Sequence, residues 1–426
     1  MQGMRLIDVV REASHFLGGS KGDYDPLVSL IGDARFVLLG EATHGSHELY
    51  RERARITQRL VAELGFNAVV VEGDWPDAER VDRFVKQRST DATALDALAG
   101  FDRFPAWMWR NGVVAEFVSW LRSQGTAGFY GMDLYSLYGS IAEVLRYLDR
   151  TDPHAAQRAR RRYACFDHHG RPQAYGKNVA RGKSRGCAEE VVAQLLELQR
   201  RAARGTDPEF FSAEQNARLA RNAEQYYRSM FGSRVTSWNL RDRHMAETIE
   251  TVARHLERRE GRARVVVWAH NSHLGDARAT GIDQVSVGQL LRERWGRKAV
   301  LVGFTTYDGT VTAAHDWDAP PEKMKVRPAL PGSVEHLFHE VGLPRFFLPL
   351  RDPGEGLGAL HEPMLQRAIG VVYRPQTERQ SHYFEARIAA QFDAVVHVDR
   401  ARAVEPLETG AQAGSAEPPE TWPSAL

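Results

Sequence analysis

Imidazole and carboxylate groups in this chain collect in four short segments, and that combination of types is the currency of general acid–base chemistry. The segments are Gly40-Glu41-Ala42-Thr43-His44-Gly45, Glu72-Gly73-Asp74-Trp75, Met132-Asp133 and Ala269-His270-Asn271-Ser272-His273. A histidine titrates near neutral pH, so it can take a proton from water and pass it to a leaving group. Taken singly, each strand-end Glu or Asp has a plainer use as a helix cap or loop hydrogen bonder. Four such segments brought to one edge would make a site.

The flanking sequence supplies that edge. Short apolar, β-branched runs precede the four segments at Arg35–Leu39, Ala68–Val71, Gly128–Gly131 and Arg264–Trp268. Others follow at Ala299–Thr305, Arg345–Leu350, Gly370–Tyr373 and Ala394–Val398. Runs this apolar, without alternation, predict strands buried on both faces, and so an α/β fold with a mostly parallel sheet covered by helices. Ligands of such sheets bind on the loops after the carboxyl ends of the strands. Tyr307-Asp308-Gly309-Thr310 reads as a tight hairpin turn, which would make the sheet mixed.

Residues 136–262 carry helical periodicity and almost no strand signal, with stripes such as Ile141/Val144/Leu145/Leu148 and Met245/Ile249/Val252/Leu256. They predict a large all-helical insertion or subdomain. It divides an α/β core into a first part, 1–135, and a second, 263–407. Ala314–Ser333, with Pro320, Pro321, Pro328 and Pro331, is expected to be an irregular loop of the kind that serves as a lid. Residues 408–426 turn to Ala, Gly, Pro and Glu and are expected to form a disordered tail.

Behind His44, Leu49, Ile56, Leu60 and Leu64 line one helical face, and Gly65 supplies a stop. Arg53 falls on that same stripe. A buried guanidinium is costly unless paired. Arg53 either snorkels to water or pairs with a carboxylate such as Glu41 or Glu72, which would hold an acidic site rigid.

The whole chain narrows the field. It is 426 residues long and 43% hydrophobic, enough for a large core. A net charge of +1 gives no global field to recruit nucleic acid or an anionic membrane. No apolar run approaches the roughly 20 residues that span a bilayer, and the N-terminus lacks the pattern of a signal peptide. Cys165 and Cys187 are the only cysteines, too few for a disulfide framework. A cytoplasmic protein with a small-molecule partner is expected.

At this point the motifs become recognisable. Gly40-Glu41-Ala42-Thr43-His44-Gly45 resembles the GExTHG signature of the erythromycin esterase family. Arg53 and Glu72 stand at the spacing that family shows, and Trp268–His273 resembles its later WAHNxH element. The likeness extends to Trp238–Met245 and Ser381–Asp399, covering residues from about 30 to 400. It implies hydrolysis of an ester or lactone by water, without a covalent intermediate and without an obligatory metal or other cofactor. His44 matches the general base, and Glu72 would orient its ring or the attacking water. Glu41 and Arg53 match residues that organise the site, while His270 and His273 match histidines that stabilise the oxyanion or protonate the leaving alkoxide. No G-x-S-x-G nucleophile elbow occurs, so a conventional serine esterase is disfavoured. The family's resistance enzymes are one branch of it, and no motif here marks a macrolide pocket.

Trp75, Trp107, Trp109 and Tyr135, with Asp74 and Asp133, follow the second and third strands and are the expected substrate contacts, although tryptophans near loops also complete cores. Two other readings stay open. Glu41, His44, His47, Glu48, Glu72, His270 and His273 hold enough ligands for zinc or manganese, yet no HExxH spacing follows His47-Glu48. The same pocket could instead bind a sugar, polyol or macrolide without turning it over.

Overall fold

The computed structural model describes residues 5–202, 209–231, 233–352 and 356–407; the expected tail at 408–426 lies outside them. Its strands are β1 (His15–Phe16), β2 (Phe36–Leu39), β3 (Ala68–Asp74), β4 (Gly128–Asp133), β5 (Val265–Trp268), β6 (Ala299–Ala313), β7 (Glu322–Val326), β8 (Arg345–Pro349), β9 (Met364–Arg367), β10 (Tyr383–Ala386) and β11 (Ala394–Ala401).

The apolar runs are strands because each has a core on both sides. Pleating sends Phe36, Leu38, Ala68, Val70, Val265 and Val267 into one core. Their neighbours Val37, Leu39, Val69, Val71, Val266 and Trp268 enter the other. The sheet runs β1-β8-β11-β6-β2-β5-β3-β4, with β7 paired to β6 off this path. From β11 to β4 every pairing is parallel, whereas β1, β7 and β8 join antiparallel. The mostly parallel, mixed sheet expected from the sequence is present. Strands β9 and β10 form a separate antiparallel pair.

The segment between β4 and β5 is helical throughout its described residues, from Leu137–Thr151 to the long helix Arg234–Glu260. It packs on the first core. The helices His47–Leu64, Trp75–Val85 and Gly112–Gln124 cover the second. Gly65 ends the first of these in the left-handed region, as expected.

Four local expectations need correction. Ala314–Ser333, expected to be an irregular loop, holds strand β7 at Glu322–Val326, paired to the end of β6. Tyr307–Thr310 makes no hairpin: β6 passes straight through it, and its antiparallel partner β7 comes only after Ala314. Gly309 is needed there for another reason. It has a φ of +124°, and a Cβ would lie 1.9 Å from the Ala401 carbonyl oxygen. Gly370–Tyr373 forms no strand. It is apolar because Val371 and Tyr373 are buried, and its backbone bonds only to Ala314 through Ala314 N–H to Val371 O and Tyr373 N–H to Ala314 O. Cys165 and Cys187 pair as a single disulfide that links the end of the helix Pro153–Tyr163 region to the start of Ala188–Ala202. Among the described residues, no helix is long and apolar enough to cross a membrane.

Candidate active site

Adjacent strands β2, β5, β3 and β4 deliver the four chemical segments side by side. The loops are stitched together before any ligand arrives. Asn271 N–H donates to the Glu41 carbonyl (2.8 Å), and Ile369 N–H donates to that of Ala42 (2.9 Å). Gly45 packs so tightly on β6 that a Cβ would lie 1.8 Å from the Thr312 carbonyl oxygen. That closeness accounts for the glycine after His44.

His44, Glu72, Arg241, His270, Ser272, His273, Trp317 and Gly370–Val372 line one cavity. Glu41 Oε1 accepts from His44 Nδ1 at 2.8 Å. Glu41 Oε2 lies 2.7 Å from Arg53 Nη2, with both groups buried. The rest of the guanidinium is covered by aromatic faces, 4.5 Å from the Tyr50 ring and 5.0 Å from that of Trp268. Tyr50 Oη donates to the His44 carbonyl at 3.0 Å. Of the two arrangements open to Arg53, pairing is the one adopted, and its partner is Glu41. His44 spends Nδ1 on this pair, so Nε2 is the nitrogen left for the cavity that the ring lines.

Glu72 does not orient His44. Its Oε1 accepts from Arg241 Nη2 (2.7 Å) and its Oε2 from His270 N–H (2.9 Å). Burial alone would raise its pKa, but the charges of His273, Arg241 and His44 prevail and hold it ionised, far below the usual carboxylate range. Arg241 also forks onto Asp133, through Nε (2.9 Å) and Nη2 (2.6 Å), and lies 5.0 Å from the Tyr135 ring.

The two later histidines differ. Ser272 N–H faces His270 Nδ1 at 3.3 Å, and the Ser272 hydroxyl lies 2.8 Å from the same nitrogen. An Nδ1 that accepts puts the proton on Nε2, which is buried and has no hydrogen-bond partner. Burial and the nearby His44 push the His270 pKa well below its usual value, so the ring is neutral. Its centroid is 4.8 Å from that of His44. His273 donates from Nδ1 to Asp242 (3.0 Å) and stacks on Trp238 at 4.4 Å. Burial opposes its protonation, but Asp242 and Glu72 raise its pKa.

None of the six expected substrate contacts lies in the cavity wall. Asp133 and Tyr135 hold Arg241 instead. Trp109 Nε1 donates to the Glu72 carbonyl (3.2 Å), and Asp74 accepts from Tyr135 N–H (2.7 Å) while pairing with Arg103 (2.8 Å). Trp75 packs on Tyr130 and Phe211 and donates to Ser212. Trp107 sits edge-on to Phe104, which in turn meets Trp317. These rings complete the core beneath the edge. The aromatic wall comes from Trp317, in the expected lid segment.

Sequence reasoning missed Arg241 and Asp242. Their signal was the one that exposed Arg53: both fall among buried Trp238, Met245 and Ile249 on one helix. Among the described residues, no group of three or more His, Cys, Asp or Glu side chains is placed to hold a metal ion. Arginines stand against the carboxylates, and Glu48 is occupied by Arg402 (2.8 Å).

A mostly parallel sheet with a buried cluster of histidines, carboxylates and arginines at its carboxyl edge defines an α/β enzyme. The family profile described as erythromycin esterase matches residues 61–401. The chain belongs to that family of esterase-type hydrolases. It is 21% identical to a putative hydrolase, YbfO, of Bacillus subtilis strain 168, over 89% of this chain and 86% of that protein. It is 20% identical to erythromycin esterase type II of Escherichia coli, over 89% and 92%. Among solved structures, a Bacillus cereus protein aligns with a TM-score of 0.79 at 20% identity, covering 95% of this chain and 98% of that one. A mutant erythromycin esterase in an open conformation aligns at 0.68 and 18% identity, covering 91% and 96%.

Proposed function

We propose that the chain hydrolyses a carboxylic ester or lactone by direct attack of water, with His44 as general base. The observation that carries this reading is the buried Arg53–Glu41–His44 line, which fixes the ring and leaves Nε2 in the cavity. His44 Nδ1–H donates to Glu41 while Nε2 takes a proton from water, and the water oxygen bonds to the carbonyl carbon. The oxyanion meets the free Nε2–H of His270, a neutral donor in a dry site. Collapse breaks the bond to the alkoxide, which takes the proton from His44 Nε2. The products are a carboxylic acid and an alcohol, or one hydroxy acid from a lactone.

Ser272 is the one hydroxyl in the cavity wall, and its base would be His270. That ring has no carboxylate behind it and a lowered pKa, so it is a poor base for a serine nucleophile.

The test is turnover of chelator-treated protein on aryl esters and lactones, with His44→Ala as control. Hydrolysis that survives chelation and is lost in a folded His44→Ala variant is expected. Activity that requires added metal, or that persists in His44→Ala, would overturn the mechanism. Saturable ligand binding with no turnover at any pH would favour a binding protein.

A further inference from the structure

A groove of about 360 Å³ runs between the helices Phe210–Ser229 and Arg234–Glu260 of the helical segment. That volume is in the range of small-molecule sites. The helix Arg234–Glu260 serves two places at once. Arg241 and Asp242 reach the catalytic cluster, whereas Arg243 and Glu247 line the groove. The groove is floored by Asn222 and His244, both buried, and Asn222 Nδ2 donates to His244 Nδ1 at 2.7 Å. Burial, with the charges of Arg218 and Arg221, pushes the His244 pKa well below its usual value, so this floor is neutral.

The charge stands in the walls. Arg221 turns Nε (2.9 Å) and Nη2 (2.6 Å) to Asn222 Oδ1, which is a neutral acceptor. The Arg243 side chain is exposed and, among the described residues, makes no hydrogen bond or ion pair. Glu247 is the one acidic group in the wall, and it lies 3.8 Å from Nη1 of a different arginine, Arg218. Burial lowers the Arg218 pKa to about 10; Glu247 and Glu214 oppose the fall, while Arg221 and Arg254 add to it. The local balance is therefore positive. In the active site every arginine meets a carboxylate, as Arg53 meets Glu41 and Arg241 meets Glu72 and Asp133. In the groove Arg221 and Arg243 present planar, permanently charged forks that match the oxygens of a carboxylate or phosphate.

We infer that this groove is a second ligand site, distinct from the catalytic cavity, and that it takes a small organic molecule bearing a phosphate or carboxylate group. Arg221 and Arg243 hold the oxyanion. Val235 and Leu240 lie in the same wall and offer contact to a short carbon skeleton, which a bare inorganic ion would leave unused. A cation is excluded by the same positive balance.

The test is calorimetric titration of the full chain at low ionic strength with glycerol phosphate, citrate, inorganic phosphate and glycerol. Saturable one-to-one binding of an organic anion is expected, tighter than that of inorganic phosphate, with none of glycerol. Tighter glycerol phosphate assigns a phosphate monoester, and tighter citrate assigns a polycarboxylate. Arg243→Ala removes an exposed side chain, so the fold should persist by circular dichroism while the anion binds about tenfold more weakly or worse, the loss of one charge-assisted hydrogen bond. Glu247→Gln removes a like charge from the wall and should tighten binding about threefold. No saturable binding of any anion, or equal binding of glycerol, would overturn the site. So would an affinity unchanged in Arg243→Ala, above all if the anion then competed with an ester, because it would be sitting in the catalytic cavity. Binding is the readout, so the outcome stands whether or not the chain hydrolyses esters.

Discussion

Replacing Glu41 with glutamine keeps the side-chain volume and removes one negative charge from between His44 and Arg53. In the hydrolytic step His44 becomes an imidazolium whose Nδ1 lies 2.8 Å from that charge. At an effective dielectric of about 20, opposite unit charges at this separation attract by about 6 kcal/mol. A glutamine amide can also turn its NH2 toward Nδ1, which puts the proton on Nε2, where the lone pair is needed. Together these predict a fall in kcat of about a thousand- to ten-thousand-fold. Stability should fall as well. Arg53 is fully buried, and a buried charge stripped of its partner costs about 3–5 kcal/mol. The lower end is expected because Tyr50 and Trp268 still cover the guanidinium. A double variant, Glu41→Gln with Arg53→Met, separates the two effects. Urea unfolding should show most of the stability recovered, while ester turnover stays as low as in Glu41→Gln. If the double variant regained wild-type kcat, Glu41 would serve only to neutralise Arg53. If Glu41→Gln alone stayed within tenfold of wild type, the His44 mechanism would be wrong.

Other outcomes follow from the same geometry. Ser272→Ala should lower turnover of a short aryl ester by no more than about tenfold, the worth of one hydrogen bond to His270; a loss of a thousandfold with normal folding would make Ser272 the nucleophile. Burial raises the Glu335 pKa to about 7 against an ordinary 4.5. Its contribution to stability is therefore full below pH 4.5 and is lost as pH rises through 7, a change of about 3 kcal/mol. Urea midpoints from pH 4.5 to 8 should show this dependence in the wild type and not in Glu335→Gln; identical profiles would count against it. Reducing Cys165–Cys187, which closes a separation of 22 residues, should destabilise the protein by about 3 kcal/mol through loop-closure entropy. Ester turnover should not change, because the link lies in the helical segment, and a loss of kcat on reduction at temperatures where the fold persists would contradict this.

The sheet was legible because its signal is local. Eight apolar runs were read as strands and seven are strands; the eighth, Gly370–Tyr373, is buried for side-chain packing without laddering. Composition cannot tell those two causes of burial apart. The Tyr307–Thr310 error has the same root. Glycine after aspartate marks any place where the backbone must enter the left-handed region, whether or not the chain reverses there. The tryptophans misled because a large aromatic next to a functional loop can face either the ligand or the core beneath it. Here Trp75, Trp107 and Trp109 face the core, while Trp317 reaches the cavity from a segment read only as a lid.

By itself, the sequence determined that Glu41, His44, Glu72, Asp133, His270 and His273 would stand at the carboxyl edge of a mostly parallel sheet. Each lies at the end of an apolar strand or within a few residues after it, and a strand carries its last residues and those that follow to its own end. Which of them would touch was decided only by the tertiary structure. β5 enters between β2 and β3, more than a hundred residues after both, and a strand spacing of about 4.8 Å then sets His270 between His44 and Glu72. Arg241 reaches Glu72 from 169 residues away, which leaves Glu41 to hold His44. Local sequence carries no information about contacts between distant segments, because the packing of both cores selects the strand order.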